Sequence, residues 1–156
     1  MSHVRAETAP AAAPELRSIC PLLQVFDMPA SLAFYRDVLG FAVHECAPPP
    51  EKVAPDHFDW VWLHREGMDL MLNTAYDPDA VRPPAPDAAR VAAHDDTALF
   101  IGCPDVDGMY EYLRSRGIAL DPPKTAPYGM RQLYTRDPDG FGICFQWRSE
   151  RAEASA

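Results

Sequence analysis

Apolar and polar residues alternate in short runs along this chain, and the two clearest runs lie on either side of residues 137–140, which read DPDG. A period of two is typical of β-strands, in which successive side chains point to opposite faces. Proline at the second turn position fixes φ, and Gly140 tolerates the exit conformation. The pattern predicts a β-hairpin over residues 127–147, with three opposed pairs: Arg136 with Phe141, Tyr134 with Ile143, and Leu133 with Cys144.

The rest of the pattern predicts two modules, each made of a strand, a helix and three further strands. Asp27 or Ser31 can cap the first helix, and Gly40 is expected to end it. Glu66 and Gly67 predict the turn of a second hairpin. The first module is predicted to contain a strand over 16–26, the helix, and strands over 41–46, 58–64 and 68–73. The second is predicted to contain a strand over 97–103, a helix over 106–116, a strand over 118–120 and the hairpin described above.

An internal repeat relates the two modules. One constant spacing separates Tyr35 from Tyr112 and Gly40 from Gly117, and the order of the elements is the same. This indicates a tandem βαβββ duplication, an α+β fold whose curved mixed sheets surround a cup. The predicted organisation is a single domain over 16–147, with module one at 16–76, a linker at 77–96 with a short helical turn, and module two at 97–147.

Composition narrows the class of protein. A length of 156 residues suffices for one domain with a full core, and a net charge of -9 argues against a nucleic-acid partner, which needs a basic surface. The four cysteines show no Cys-x-x-Cys spacing, and no apolar run is long enough for a signal peptide or a membrane span. We therefore expect a cytoplasmic protein with free thiols and no membrane partner. Residues 1–15 and 148–156 are expected to be disordered tails.

The two faces of the predicted strands differ in chemistry. One face is almost entirely apolar and is expected to pack against the helices: Ile19, Leu23, Val25, Leu70, Leu72, Leu99, Ile101, Ile143, Phe145 and Trp147. The other mixes aromatic with polar residues: Cys20, Leu22, Gln24, Trp60, Trp62, His64, Asp69, Met71, Asn73, Phe100, Cys144 and Gln146. Aromatic area with a few polar groups is typical of a small-molecule pocket, and a dimer interface is the alternative. Trp60 and Trp62 are the strongest single candidates for ligand contact.

Two polar residues of the mixed face are candidates for acid-base chemistry. The turn at 66–67 would place His64 opposite Asp69, so that the carboxylate could orient the imidazole as a general base. A structural hydrogen bond is the alternative for the same pair.

Three other residues carry reactive or charged groups. Cys20 and Cys144 would be reactive thiols if a cation lowered their pKa, but no neighbouring His or Lys in the sequence suggests this, and small buried side chains are the favoured interpretation. Arg131, at the start of its strand, could pair with a ligand carboxylate. A surface ion pair with Asp137 or another acid is the alternative.

Several short motifs together resemble the glyoxalase/bleomycin-resistance/extradiol-dioxygenase superfamily, also called vicinal oxygen chelate proteins. They are SLAFYRDVLGF at 31–41, DLML at 69–72, DVD at 105–107 with YLR at 112–114, YGMR at 128–131 and RDPDG at 136–140. The resemblance covers residues 17–147 and is strongest to the bleomycin-resistance branch. It implies a cup built from two modules and a homodimer. It leaves the activity open, since one fold hosts many functions.

The resemblance also implies where a metal would bind. Metal-using members carry His and Glu at four positions of the cup, and the matching positions here hold Cys20, Asp69, Ala98 (or Thr97) and Cys144. Because a divalent metal of this type prefers imidazole and carboxylate ligands, we predict no metal and no other cofactor. The predicted function is metal-free binding or sequestration of a small, largely aromatic or apolar molecule. The alternative is an atypical isomerase, lyase or dioxygenase acting on a small oxygenated substrate. The predicted ligand-binding residues are Trp60, Trp62, Asp69, Met71, Phe100, Arg131, Cys144 and Cys20.

Overall fold

Two four-stranded mixed sheets organise the residues that the computed structural model describes, which are 12–76 and 82–150. Sheet one has the order β1-β4-β3-β2 and consists of β1 (Leu22–Val25), β2 (Ala42–Ala47), β3 (Trp60–Arg65) and β4 (Met68–Thr74). Sheet two has the order β5-β8-β7-β6 and consists of β5 (Ala98–Gly102), β6 (Lys124–Thr125), β7 (Met130–Arg136) and β8 (Gly142–Arg148). In each sheet the first strand runs parallel to the last, and the other neighbours are antiparallel. The predicted α+β fold with tandem βαβββ modules is confirmed.

Helices follow the first strand of each module and one more lies in the linker. Asp27 caps α1 (Met28–Leu32), and the helix continues as a π-helix over Ala33–Val38. This helix ends at Gly40, whose φ of 77° is left-handed. The helix α3 (Val106–Ser115) ends in the same way at Gly117, whose φ is 79°. The linker holds α2 (Ala88–Ala93). None of the helices in the described ranges is long and apolar enough to cross a membrane. Of the predicted tails and linker, residues 1–11, 77–81 and 151–156 lie outside the described residues.

The second hairpin is confirmed, but its predicted register is wrong by one residue. The amide of Asp137 bonds to the carbonyl of Phe141, so the loop has three residues rather than four. Gly140, with φ of 86°, supplies the extra left-handed residue. The observed pairs are therefore Arg136 with Gly142, Tyr134 with Cys144, and Leu133 with Phe145. Leu133 consequently faces the core, and Tyr134 faces the cup.

Three other predictions about strands are corrected. The strand expected over 118–120 is absent from the described residues, because the Ile118 amide bonds back to Leu113 at the end of α3, and Pro122 and Pro123 then lack N–H donors, so that pairing begins only at Lys124. The strand expected over 16–26 spans only Leu22–Val25. As a result Ile19, which precedes the strand, is 90% exposed. Trp147, near the end of β8 and expected on the buried face, is 48% exposed.

One hydrophobic core lies between the sheets and the helices and continues from module one to module two. Its fully buried members include Val25, Leu32, Leu63, Leu72, Leu113, Leu133 and Ile143. Strands β3 and β4 contribute Val61, Leu63, Leu70 and Leu72 to this core. Their neighbours on β3 and β4 must therefore point to the opposite face.

Two buried carboxylates join the hairpin turn of module two to module one. Tyr35 donates a hydrogen bond of 2.8 Å to Asp137, and the Phe26 amide donates one of 2.7 Å to Asp139. Ser31 is buried and its hydroxyl lies 3.4 Å from Asp139, so it serves this junction while Asp27 caps the helix. Burial raises the pKa of both carboxyl groups.

Candidate functional site

The hairpin of β3 and β4 places four large side chains on the cup side of sheet one. Its turn is formed by Glu66 and Gly67 with φ values of 49° and 81°. This left-handed pair fixes the register. Trp62 then lies opposite Met71, and His64 opposite Asp69, which confirms the predicted pairing. Trp60 follows the same alternation on β3.

Asp69 is the centre of this face. Its Oδ1 atom accepts hydrogen bonds from Trp62 Nε1 and His64 Nδ1, both at 2.9 Å. The bond from His64, followed by the bond from Trp62, lowers the pKa of Asp69 below its ordinary value. His44, which sequence reasoning missed, packs its ring edge-on against Trp62 with 4.6 Å between centroids. The bulge in β2 between Val43 and Glu45 hid it from a simple alternation.

The two cysteines of the predicted site are protonated thiols. Burial, and secondly the negative charge of Asp69, raises the pKa of Cys20. Burial raises the pKa of Cys144, which is fully buried on β8. Neither residue therefore has the depressed pKa of a nucleophilic thiolate.

Sheet two contributes an aromatic pair above Cys144. Register places Phe100, Cys144 and Tyr134 in one row across β5, β8 and β7. The rings of Phe100 and Tyr134 meet edge to face with 6.3 Å between centroids, and each residue is 55% exposed. Sequence reasoning missed Tyr134 because the shifted register had assigned it a different partner.

Gln132 organises the polar part of this face. Its Oε1 atom accepts from the hydroxyls of Tyr128 at 3.1 Å and Tyr134 at 3.2 Å. Its Nε2 atom donates to Gln146 Oε1 at 2.9 Å. The bond to Gln146 crosses from β7 to β8, so only the correct register could have predicted it.

A cavity of about 230 Å³ connects the two sheets. Asp69 lines it from module one and Phe100 from module two, beside Pro21, Tyr35 and Phe41. Of the predicted ligand-binding residues, these two are thus brought together. Trp60, Trp62 and Met71 lie on the same sheet as Asp69, Cys20 lies near Asp69 just ahead of β1, and Cys144 lies beside Phe100 in register.

Arg131 does not join them. It lies opposite Trp147, on the other face of sheet two, and its guanidinium bonds to Asp107 at 2.6 Å. Both residues line a larger cavity of about 560 Å³ at the start of α3. Volume alone would favour that cavity. However, its walls are mostly polar or charged, and Arg131, the residue predicted to bind a ligand, is already paired there with a surface acid.

The residues at the four metal-matching positions do not fit a divalent metal. Ala98 carries no donor atom, and the thiols of Cys20 and Cys144 have raised pKa values. Within residues 12–76 and 82–150, no cluster of three or more His, Cys, Asp or Glu side chains is suited to hold a metal ion. Asp69 is the one matched position with a carboxylate, and it is bonded to Trp62 and His64.

Comparison with known families agrees with this architecture. The model of the Glyoxalase/Bleomycin resistance protein/Dioxygenase superfamily matches residues 17–145. The chain belongs to this superfamily. No curated protein matches it. The superfamily assignment inferred from the sequence motifs is thereby confirmed.

Solved structures of the superfamily fold share low identity with the chain. A glyoxalase/bleomycin resistance protein/dioxygenase from Nocardioides is 21% identical, with a TM-score of 0.62, over 90% of this chain and 87% of that one. TnmS3, an antibiotic binding protein from Streptomyces sp. CB03234, is 27% identical, with a TM-score of 0.57, over 83% and 93%. A bleomycin resistance determinant encoded on the transposon Tn5 is 20% identical, with a TM-score of 0.61, over 86% and 99%.

Proposed function

We propose that this protein binds or sequesters a small, planar, largely aromatic molecule without using a metal. The observation that carries the proposal is the cavity that Asp69 and Phe100 both line. Trp62 bonds to Asp69, and the ring of Tyr134 packs against Phe100. Flat apolar walls with sparse polar groups favour aromatic ligands, because stacking adds affinity and a few hydrogen bonds fix orientation.

The neighbouring proteins support an antibiotic as the first class of ligand to test. TnmS3 is described as an antibiotic binding protein, and the Tn5 protein as a bleomycin resistance determinant. A protein that sequesters such a compound would meet it in the cytoplasm, and the four unpaired cysteines fit a reducing compartment.

Tryptophan fluorescence provides a direct test, because the three tryptophans divide between two sites. Trp60 and Trp62 lie on the cup side of sheet one, whereas Trp147 lines the cavity at α3. In a panel of planar antibiotics, a ligand of the cup should quench emission and raise the melting temperature. Trp147→Phe should leave both responses unchanged, while Trp60→Phe and Phe100→Ala should weaken binding. If no compound stabilises the protein and Phe100→Ala behaves like the parent, the proposal fails.

The His64–Asp69 pair supports a second candidate, metal-free acid-base catalysis on a small oxygenated substrate. The bond of 2.9 Å holds the imidazole in one orientation, as a general base requires. Turnover of a bound compound that disappears in His64→Gln, while the affinity for that compound persists, would favour catalysis over sequestration.

A further inference from the structure

The protons on the cup side of sheet one can be placed from the contacts of Asp69. Its ionised carboxylate can only accept hydrogen bonds. His64 must therefore carry a proton on Nδ1, the atom that lies 2.9 Å from Asp69 Oδ1. In the neutral imidazole this leaves Nε2 as an acceptor, and no described residue donates a hydrogen bond to it.

Three other polar groups beside His64 also have a bonded donor. The indole N–H of Trp62 is bonded to Asp69, and the amide of Asn73 donates to the carbonyl of Thr74 at 3.3 Å. The thiol of Cys20 points to the carbonyl of Pro21. His64 Nε2 and the second oxygen of Asp69 remain as acceptors for a ligand, beside two donors on the same face, the indole N–H of Trp60 and the second amide hydrogen of Asn73.

The cup side of sheet two offers donors to a ligand. Both carbonyl oxygens of its glutamine pair are engaged, since Gln132 accepts from two tyrosines and Gln146 accepts from Gln132. The amide nitrogen of Gln146 has no bonded partner among the described residues and is free to donate. Lys124 lies opposite Gln132 in register and adds a cation at the edge of this face.

We propose that His64 selects the ligand, by accepting a hydrogen bond from an N–H group on one edge of a planar heteroaromatic molecule. The inference rests on the proposed function and names the ligand class of that site: an aromatic ring system with an N–H donor on one edge and an acceptor on the other. A ligand that lacks the N–H would leave two acceptors facing an apolar edge. Loss of such a bond weakens binding by about five- to tenfold.

A matched pair of β-carbolines tests this. Norharmane has a ring N–H on one edge and a pyridine nitrogen on the other, and its 9-methyl derivative lacks only the N–H. Dissociation constants are measured by fluorescence for both compounds in their neutral forms. The parent protein should prefer norharmane by about five- to tenfold. His64→Phe keeps a ring but removes the acceptor, and its ratio should fall to about one.

Two further variants separate recognition from packing. His44→Phe replaces the other imidazole beside Trp62, which does not bond to Asp69, and should keep the parent's ratio. Asp69→Asn keeps an oxygen that can accept from both Trp62 and His64, so the imidazole proton stays on Nδ1 and the preference for norharmane should persist. Thermal melts establish that each variant is folded.

The outcomes distinguish the two proposals. A preference that survives in His64→Phe overturns the assignment of His64, while binding itself still supports the proposed function. If other planar compounds bind but neither β-carboline does, the assignment of His64 is also overturned. If no planar compound binds the parent protein at all, the proposed function fails and the ligand class fails with it.

Discussion

The phenol oxygen of Tyr35 lies 2.8 Å from Asp137 and joins the first helix of the chain to its last hairpin turn. Both side chains are buried. The other carboxylate oxygen of Asp137 accepts the amides of Asp139 and Phe141, each at 2.9 Å. Burial raises the pKa of Asp137 despite these bonds. The turn is therefore fastened to module one by a carboxylate that has lost most of its water.

Tyr35→Phe should lower the free energy of unfolding by about 1.5–3 kcal/mol at neutral pH, because it removes a hydrogen bond to a buried charge. Since the folded pKa of Asp137 is raised, its contribution to stability falls as pH rises through that value. Without Tyr35 the pKa rises further, so the loss should be smaller at about pH 4 than at about pH 7.5. Urea unfolding of the parent and of Tyr35→Phe at both pH values measures this loss in the free energy of unfolding.

Tyr112→Phe is the control for that experiment. Its hydroxyl donates to the neutral carbonyl of Val38 at 2.7 Å in an exposed position. The loss should be about 1 kcal/mol or less and should not change with pH. An equal, pH-independent loss in both variants would contradict the role assigned to Asp137.

Gly140→Ala should be more destabilising than Gly67→Ala. Both glycines have left-handed φ values, 86° and 81°, so both substitutions add backbone strain of about 1–2 kcal/mol. A Cβ at Gly140 would also lie 3.1 Å from Val91 Cγ1 and 3.2 Å from the Val91 carbonyl oxygen, whereas nothing lies within 4 Å at Gly67. Chemical denaturation of both variants measures the difference, and equal losses would mean that α2 does not pack on this turn.

The pKa of Asp69 should respond to both of its donors. Removal of the imidazole in His64→Ala should raise it most, and Trp62→Phe should raise it by less, because the bond from His64 is the larger cause of its depression. Carboxyl carbon shifts followed by NMR across the acidic range give these values. The depressed pKa means that this group's contribution to stability is lost only as pH falls below the ordinary range of aspartate. An unchanged pKa in His64→Ala would contradict the geometry.

Protein purified without chelators should contain far less than one equivalent of zinc, iron, nickel or manganese. The reason is the donor set at the matched positions, where two protonated thiols and an alanine accompany Asp69. Elemental analysis measures the content. Stoichiometric metal that disappears in Asp69→Ala would show that the site is built differently.

The protein should be a homodimer in solution. Leu16 and Ile19 ahead of β1 and Leu22 on it are large apolar side chains that are 46% or more exposed. Covering them is favourable at about 25 cal/mol per Å², from which the entropy of association is subtracted. Light scattering over a dilution series decides the matter, and a mass near 17.3 kDa at micromolar concentration would contradict the dimer.

Local chemistry made much of the fold predictable from the sequence. The helix ends at Gly40 and Gly117 depend on a single left-handed residue each, and the pairing of His64 with Asp69 depends on a two-residue turn. Such features involve neighbours in the chain, so their causes are visible in the sequence.

Other features depend on contacts that the sequence does not display. The shifted register depends on whether Gly140 belongs to the loop or the strand, and the wrong choice removed Tyr134 from the predicted site. Arg131 bonds to Asp107, which lies 24 residues earlier in the chain, on α3. Asp137 was recognised as a turn residue, but its bond to Tyr35 spans most of the chain.

The junction at Asp137 and Asp139 also sets an order of events during synthesis. The Phe26 amide and the hydroxyls of Ser31 and Tyr35 leave the ribosome early, but the carboxylates they bond to lie near the other end of the chain. Until those carboxylates emerge, the first module carries three donors without these acceptors. The first module thus depends on the second. A chain that stops before residue 137 lacks the acceptors that complete its own first half.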